Sequence, residues 1–208
     1  MKNYLLTLLF LIWSTCLFAQ EEILKKLDSK ADFYGDIARQ IWANPELGYL
    51  ETNSSALLQK TLSDAGFKVT AGVAEIPTAF VAEYGSGKPV IGIMAEFDAL
   101  PGVSQEAVPF RKAVVEGGAG HACGHHLFGA ASVAAGISVM EWMKENKIQG
   151  TLRVYGTPAE EGGGGKVYIA RAGLIKDVDV MMHWHPGSQN AAGATSSLAN
   201  ISTKFRFY

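Results

Sequence analysis

The chain has 208 residues, 48% hydrophobic and only 18% charged, which excludes a disordered or low-complexity protein and leaves ample apolar material for a core. Its 18 Lys and Arg stand against 20 Asp and Glu, a formal charge of -2 with no basic run, which argues against a nucleic-acid partner. The 23 glycines follow no period, so they mark turns and close backbone approaches rather than repeats.

In chain order, Met1-Lys2-Asn3 carries one positive charge, Leu5 to Trp13 is almost wholly apolar, and Ser14 to Gln20 contains the small Ala19. That is the layout of a secretory signal peptide cleaved near Ala19 or Gln20. The apolar run Tyr4 to Phe18 is about 15 residues, short of the roughly 20 that span a bilayer, so no stable membrane anchor is expected. Residues 1–20 therefore predict export to the periplasm or medium. Removing Cys16 with them leaves Cys123 as the only cysteine, and an intrachain disulfide is impossible.

From Ile23 to Trp42 apolar residues recur at three-and-four spacing, which predicts an amphipathic helix ending before Pro45. A second helix is expected over Ser54 to Ala65, closed by Gly66. Phe67 to Val73, Ala79 to Tyr84 and Val90 to Phe97 read as strands, the last so continuously apolar that both its faces should be covered. A Gly-rich loop fills Ala99 to Gly120, and Leu127 to Lys144 reads as a helix. Thr151 to Tyr155 and Val178 to His183 read as core strands around a short helix at Val167 to Ala172. This alternation predicts an α/β fold, a three-layer arrangement with a largely parallel sheet and helices on both faces. In Ile201 to Tyr208, apolar Ile201, Phe205 and Phe207 alternate with polar Ser202, Lys204 and Arg206, as in a half-exposed antiparallel strand that opens a second domain.

The residues with chemistry stand at the ends of the predicted strands, where open α/β sheets place their sites. They are Glu96 and Asp98, then His121-Ala122-Cys123-Gly124-His125-His126, then Glu160-Glu161, then His183-Trp184-His185; these hold all five histidines. Thiolate, imidazole and carboxylate donors together are the ligand set of a zinc or manganese site, and a tight turn at Gly124 lets Cys123 and His125 reach one ion. The plain alternative, a core cysteine among solvated loop histidines, must explain each cluster separately. Of the adjacent Glu160 and Glu161, one can ligate while the other faces a water and acts as general acid and base. A cysteine hydrolase with Cys123 as nucleophile and His125 as base is the rival chemistry, but it leaves Glu160, Glu161 and the distant histidines without a role. Gly162 to Lys166 fails as a phosphate loop because Val167 stands where Ser or Thr is needed, and Gly102-Val103-Ser104-Gln105-Glu106 lacks the second Gly of a serine elbow.

Taken in order, Ile93 to Gly102 (Ile-Met-Ala-Glu-Phe-Asp-Ala-Leu-Pro-Gly), Gly120 to His125 (Gly-His-Ala-Cys-Gly-His), Gly156 to Gly162 (Gly-Thr-Pro-Ala-Glu-Glu-Gly) and Trp184-His185-Pro186 resemble the M20 metallopeptidases, more closely their amidohydrolase branch. The resemblance runs from about Ile23 to Tyr208. It implies Cys123, His125, Glu161 and His185 as ligands of one or two Zn2+ or Mn2+ ions, Glu160 as general base and Asp98 as a supporting acid. Glu96 stands where the wider family has a histidine ligand, His185 is preferred to His183 because it precedes Pro186, and His126 is left outside the ligand set. The implied substrate is a small N-acyl amino acid. Glu160 to Lys166 (Glu-Glu-Gly-Gly-Gly-Gly-Lys) and Trp184-His185-Pro186 point within the branch to p-aminobenzoyl-glutamate, with a dipeptidase, an aminoacylase or an inactive metal-binding relative as alternatives.

The resemblance also implies a longer protein. Its parts are a signal peptide at 1–20, the amino-terminal part of a metallohydrolase domain at 21–199, and the first strand of a lid and dimerisation domain at 200–208. A homodimer or hetero-oligomer would form through the remaining sequence, which would also bring a last histidine ligand.

Overall fold

The computed structural model describes residues 21–193, 196, 203 and 205–208. The expected signal peptide lies outside the described residues, as do 200–202 and 204 of the strand expected at the other end; Thr203 and Phe205 to Tyr208 have no regular structure. Among the described residues no helix is long and apolar enough to cross a membrane.

Residues 21–29 are helical, and after a turn at Lys30 comes α1 (Ala31–Ala43), which buries Tyr34, Ile37, Ala38 and Ile41 along one stripe. The expected single helix is thus broken at Lys30. Helix α2 (Thr52–Ala65) ends on Gly66, whose φ of 111° is the left-handed geometry a residue without a Cβ adopts freely. Strand β1 (Lys68–Ala71) leads through a 3-10 turn at Val73–Glu75 into β2 (Phe80–Ser86), followed by β3 (Val90–Ala95). After the long loop come α3 (His125–Asn146), β4 (Gly150–Gly156), α4 (Gly165–Arg171) and β5 (Val180–Met182).

The five strands form one sheet in the order β1-β2-β4-β3-β5. Strand β3 runs parallel to β4 and to β5, whereas β2 is antiparallel to both β1 and β4. The largely parallel sheet expected from the alternation of elements is therefore only half right. The short connections from β1 to β2 and from β2 to β3 hold no crossover helix, so each reverses the chain direction. The parallel half arises where α3 and α4 intervene.

Helices α1, α2 and α3 cover one face, where Ile37, Ile41, Leu58, Leu62, Val133 and Ile137 meet Phe80, Leu152 and Val154 of the sheet. On the other face Tyr155 and Met181 pack with Ile76, Ile169 and Leu174, so α4 and the 3-10 turn form the third layer. The three layers are those expected. Helix α3 lies close to the sheet because Gly136 has no side chain: a Cβ there would stand 2.6 Å from Val154. The β3-α3-β4 unit puts the amino end of α3 beside the carboxyl ends of β3 and β4, where three donor-bearing segments now meet.

Candidate metal centre

Each group of the site is delivered by a strand end or helix start. Glu96 and Asp98 follow β3, Glu160 and Glu161 follow β4, His183 and His185 follow β5, and Cys123 and His125 flank the residue that opens α3. That residue, Gly124, has φ 81°, and a Cβ on it would stand 3.1 Å from Pro186, so the turn is both left-handed and pressed against the His185 segment.

His125 is the centre of the cluster. Its side chain is fully buried, with Nδ1 2.8 Å from Asp98 Oδ1 and Nε2 2.9 Å from Glu96 Oε2. The second oxygen of Asp98 accepts a 2.8 Å hydrogen bond from the Glu161 amide, so one carboxylate orients both the imidazole and the acidic pair. Nδ1 donates its proton in a hydrogen bond to Asp98, so Nε2 faces the cluster and becomes a metal donor once its own proton leaves, and a carboxylate behind such a histidine raises its basicity toward a metal. Glu160 Oε2 and Glu161 Oε1 lie 3.8 and 3.9 Å from that same nitrogen. The two glutamates differ in environment: the Glu160 side chain is 43% exposed, the Glu161 side chain 16%.

Cys123 Sγ lies 3.3 Å from His185 Nε2, and the other ring nitrogen of His185 is 2.8 Å from the Pro186 carbonyl, to which it donates. The ligand atoms of Cys123, His125 and His185 are all within 4.8 Å of one another, and so are those of Glu96, His125 and Glu160. Glu96 Oε2, His125 Nε2 and Glu161 Oε1 are buried yet have no hydrogen-bond partner. Orphaned buried polar atoms are rare singly, and three at one point are what a bound cation would satisfy. The donor set fits a divalent metal.

Electrostatics agree with that fit. Burial works against a charged His125, but the Asp98 and Glu96 carboxylates outweigh it and lift the imidazole to about 10. Burial raises the Cys123 thiol, and the carboxylates of Glu161, Glu160 and Glu96 raise it further, to about 12. A nucleophilic cysteine needs electropositive surroundings, so this carboxylate-lined pocket opposes the cysteine-hydrolase chemistry and attracts positive charge instead. Burial also disfavours ionised Glu96, yet the His125 imidazole 2.9 Å away and the Lys166 ammonium paired with it hold it down to about 2.

The structure thus brings together Glu160, Cys123, His125, Glu161, His185 and Asp98. His183 turns elsewhere, with Nε2 3.3 Å from Glu96 Oε1 and its ring edge-on to Phe128 at 5.2 Å. His126 packs edge-on to Trp42 at 4.9 Å and beside His121 at 5.2 Å, away from the donor atoms. Burial pushes each of these two imidazoles down to about 4, which keeps them neutral in their apolar setting. Two further participants had no evident role in the sequence. Lys166 forms an ion pair with the buried Glu96. Glu51, also fully buried, accepts a 2.8 Å hydrogen bond from the Ala159 amide, immediately before Glu160. The Lys166 signal lay in the run Glu160 to Lys166; Glu51 sits in no motif.

A three-layer α/β sheet with Cys, His and Glu donors gathered at the carboxyl ends of its parallel strands defines a domain built around a candidate metal centre. The chain belongs to peptidase family M20/M25/M40, whose profile matches residues 92–200. It is 46% identical over 175 residues to a p-aminobenzoyl-glutamate hydrolase subunit of Escherichia coli (strain K12), covering 84% of this chain and 36% of that protein. It is 32% identical over 183 residues to the Xaa-Arg dipeptidase of Homo sapiens, covering 80% of this chain and 38% of that protein. A dinuclear metal binding peptidase of the M20 family from Bacillus subtilis superposes with a TM-score of 0.63 at 26% identity, over 77% of this chain and 44% of that one. The chain spans less than half the length of these relatives.

Proposed function

We propose that this chain supplies most of the metal centre of an enzyme that hydrolyses the amide bond of an N-acyl amino acid, p-aminobenzoyl-glutamate foremost. The convergence of Glu96 Oε2, His125 Nε2 and Glu161 Oε1, buried and unpartnered, carries the metal reading. The substrate reading is supported by the similarity to the Escherichia coli hydrolase. Cys123, His125, Glu161 and His185 hold one or two ions, with Zn2+ or Mn2+ suited to mixed thiolate, imidazole and carboxylate donors. When bound, the ion acts as a Lewis acid on the amide carbonyl and lowers the pKa of water.

The chain's own residues do the rest. Glu160, more exposed than its neighbour and close to His125, takes the proton from the attacking water and returns it to the leaving amine. Asp98 fixes the His125 ring and the Glu161 backbone together. The signal-like residues 1–20 support an exported protein, and similarity to one subunit of a hydrolase supports an assembly of chains.

The test is glutamate release from p-aminobenzoyl-glutamate by the full-length protein loaded with manganese or zinc, beside its Glu160→Ala form. Release by the parent alone, with metal retained by both, is expected. Turnover surviving in Glu160→Ala would sink the base assignment. A parent that holds metal but prefers dipeptides would move the substrate to the dipeptidase reading, which the similarity to the Xaa-Arg dipeptidase favours.

A further inference from the structure

Glu96 is a carboxylate in an unusual position. Its side chain is 2% exposed, and its two oxygens have different surroundings. Oε1 receives the Lys166 ammonium and lies 3.3 Å from His183 Nε2. Oε2 has no hydrogen-bond partner, is buried, and stands 2.9 Å from His125 Nε2 inside the donor cluster. A buried carboxylate without a compensating cation takes up a proton or turns toward the nearest positive group. Were Glu96 alone, both oxygens would be free to turn toward any cation in the cluster.

Lys166 comes from the first turn of α4, and its placement follows from the backbone before it. The amides of Gly163 and Gly164 both donate to the Ala159 carbonyl, at 3.0 and 2.7 Å, so the chain doubles back directly after the Glu160-Glu161 pair. Gly165 then passes so close to Pro158 that a Cβ would meet the Pro158 carbonyl at 2.2 Å. This close passage starts α4 against the end of β4, and the lysine, with 27% of its side chain exposed, reaches Glu96 at the end of the neighbouring β3.

We propose that Lys166 is a positioning residue of the metal centre, holding one oxygen of the buried Glu96 so that the other is presented to the metal-binding atoms. The inference rests on the metal reading above and adds to it a residue outside the ligand set. Lys166 neutralises Glu96 from the oxygen that faces away from the donors. It leaves the facing oxygen as a fixed, ionised acceptor beside His125 Nε2.

The test measures Mn2+ affinity, by competition with a chelator, of the metal-free full-length protein and of Lys166→Met, Lys166→Arg, Glu96→Gln and the double variant Glu96→Gln/Lys166→Met. Lys166→Met is expected to weaken binding by roughly 10- to 100-fold, as loss of a group behind a ligand does, and Lys166→Arg to restore most of it. Because Lys166 acts through Glu96, the double variant should bind no more weakly than Glu96→Gln alone. Unchanged or tighter binding by Lys166→Met, with only its melting temperature lowered, would reduce the lysine to a structural contact and overturn the proposal. Losses that multiply in the double variant would also overturn it. If Lys166→Met does not fold, the comparison of Glu96→Gln with the double variant, in which the buried pair loses both charges, decides by the same rule. A parent that binds neither Mn2+ nor Zn2+ would remove the metal reading itself, an outcome separate from either of these.

Discussion

The Ala159 amide donates to Glu51 Oε1 at 2.8 Å, tying the start of α2 to the residue immediately before Glu160. Ala159 has φ 55°, the left-handed region that costs an alanine of order 1 kcal/mol or more and persists only where its surroundings hold it. Glu51 is fully buried, its other oxygen accepts a 2.9 Å hydrogen bond from Thr78, and burial raises its pKa. Glu51→Ala would leave the Ala159 amide without this acceptor. It should destabilise the protein by about 1–3 kcal/mol and lower turnover more than metal content, with Glu51→Gln milder on both. Urea melts and metal analysis beside turnover separate the two effects; turnover equal to the parent's would show that the loop holds its shape unaided.

Asp98 makes a contrasting prediction, because it touches His125 and Glu161, the proposed ligands, rather than the proposed base. Asp98→Asn can no longer accept from both His125 Nδ1 and the Glu161 amide with full charge. Manganese or zinc affinity should fall by about 10- to 100-fold with the fold retained. Metal content at limiting metal is the measurement, and an undiminished content would contradict the supporting role.

Phe128 carries the floor of the site. It is fully buried in α3, with its ring 5.2 Å from those of His183 and Trp184 and 6.2 Å from those of His125 and His185. Phe128→Ala should cost about 3–5 kcal/mol by chemical denaturation, and Phe128→Leu much less. A loss below about 1 kcal/mol for Ala would mean that the segment after β5 settles into the space.

Glu46 sets part of the acid limit. It accepts from the Asn53 and Ser54 amides at 2.9 and 2.8 Å at the start of α2. Burial alone would raise its pKa, but these bonds and those from the two side chains outweigh it and hold the carboxyl below its usual 4.5. A depressed carboxyl contributes stability that is present above the unfolded value and lost as pH falls through the folded one. Melting temperatures of the parent and Glu46→Gln should therefore differ at neutral pH and converge below about pH 4.5, and a constant difference would assign the effect to packing.

Much of this molecule was legible in its sequence because periodicity and punctuation are local. The break after Ala65, the strand from Val90 and the helix after Gly124 all follow from residues within a few positions of them. The candidate site residues were legible as a group because Cys123, His125, Glu160, Glu161 and His185 belong to short motifs at strand ends. Strand order was not, since nothing in Phe80–Ser86 or Val90–Ala95 records that Gly150–Gly156 lies between them. Glu51 and Lys166 were hidden for the same reason. Each acts on a partner far away in sequence, through contacts that exist only once the sheet and its helices are assembled.

The placement of β4 also has a consequence for how the chain is made. Ser86 pairs with Gly150 and Val90 with Thr151, so two strands joined by Gly87-Lys88-Pro89 share a partner that leaves the ribosome only after the whole of α3. A nascent chain that stops short of Gly150 holds two apolar strands with no central neighbour, and a direct β2-β3 hairpin would be a wrong turn that must reopen. Assembly of this sheet is therefore a late, long-range event of the slow kind. Shearing β4 from either side would split the sheet in two and release the groups that follow β3 from those that follow β4.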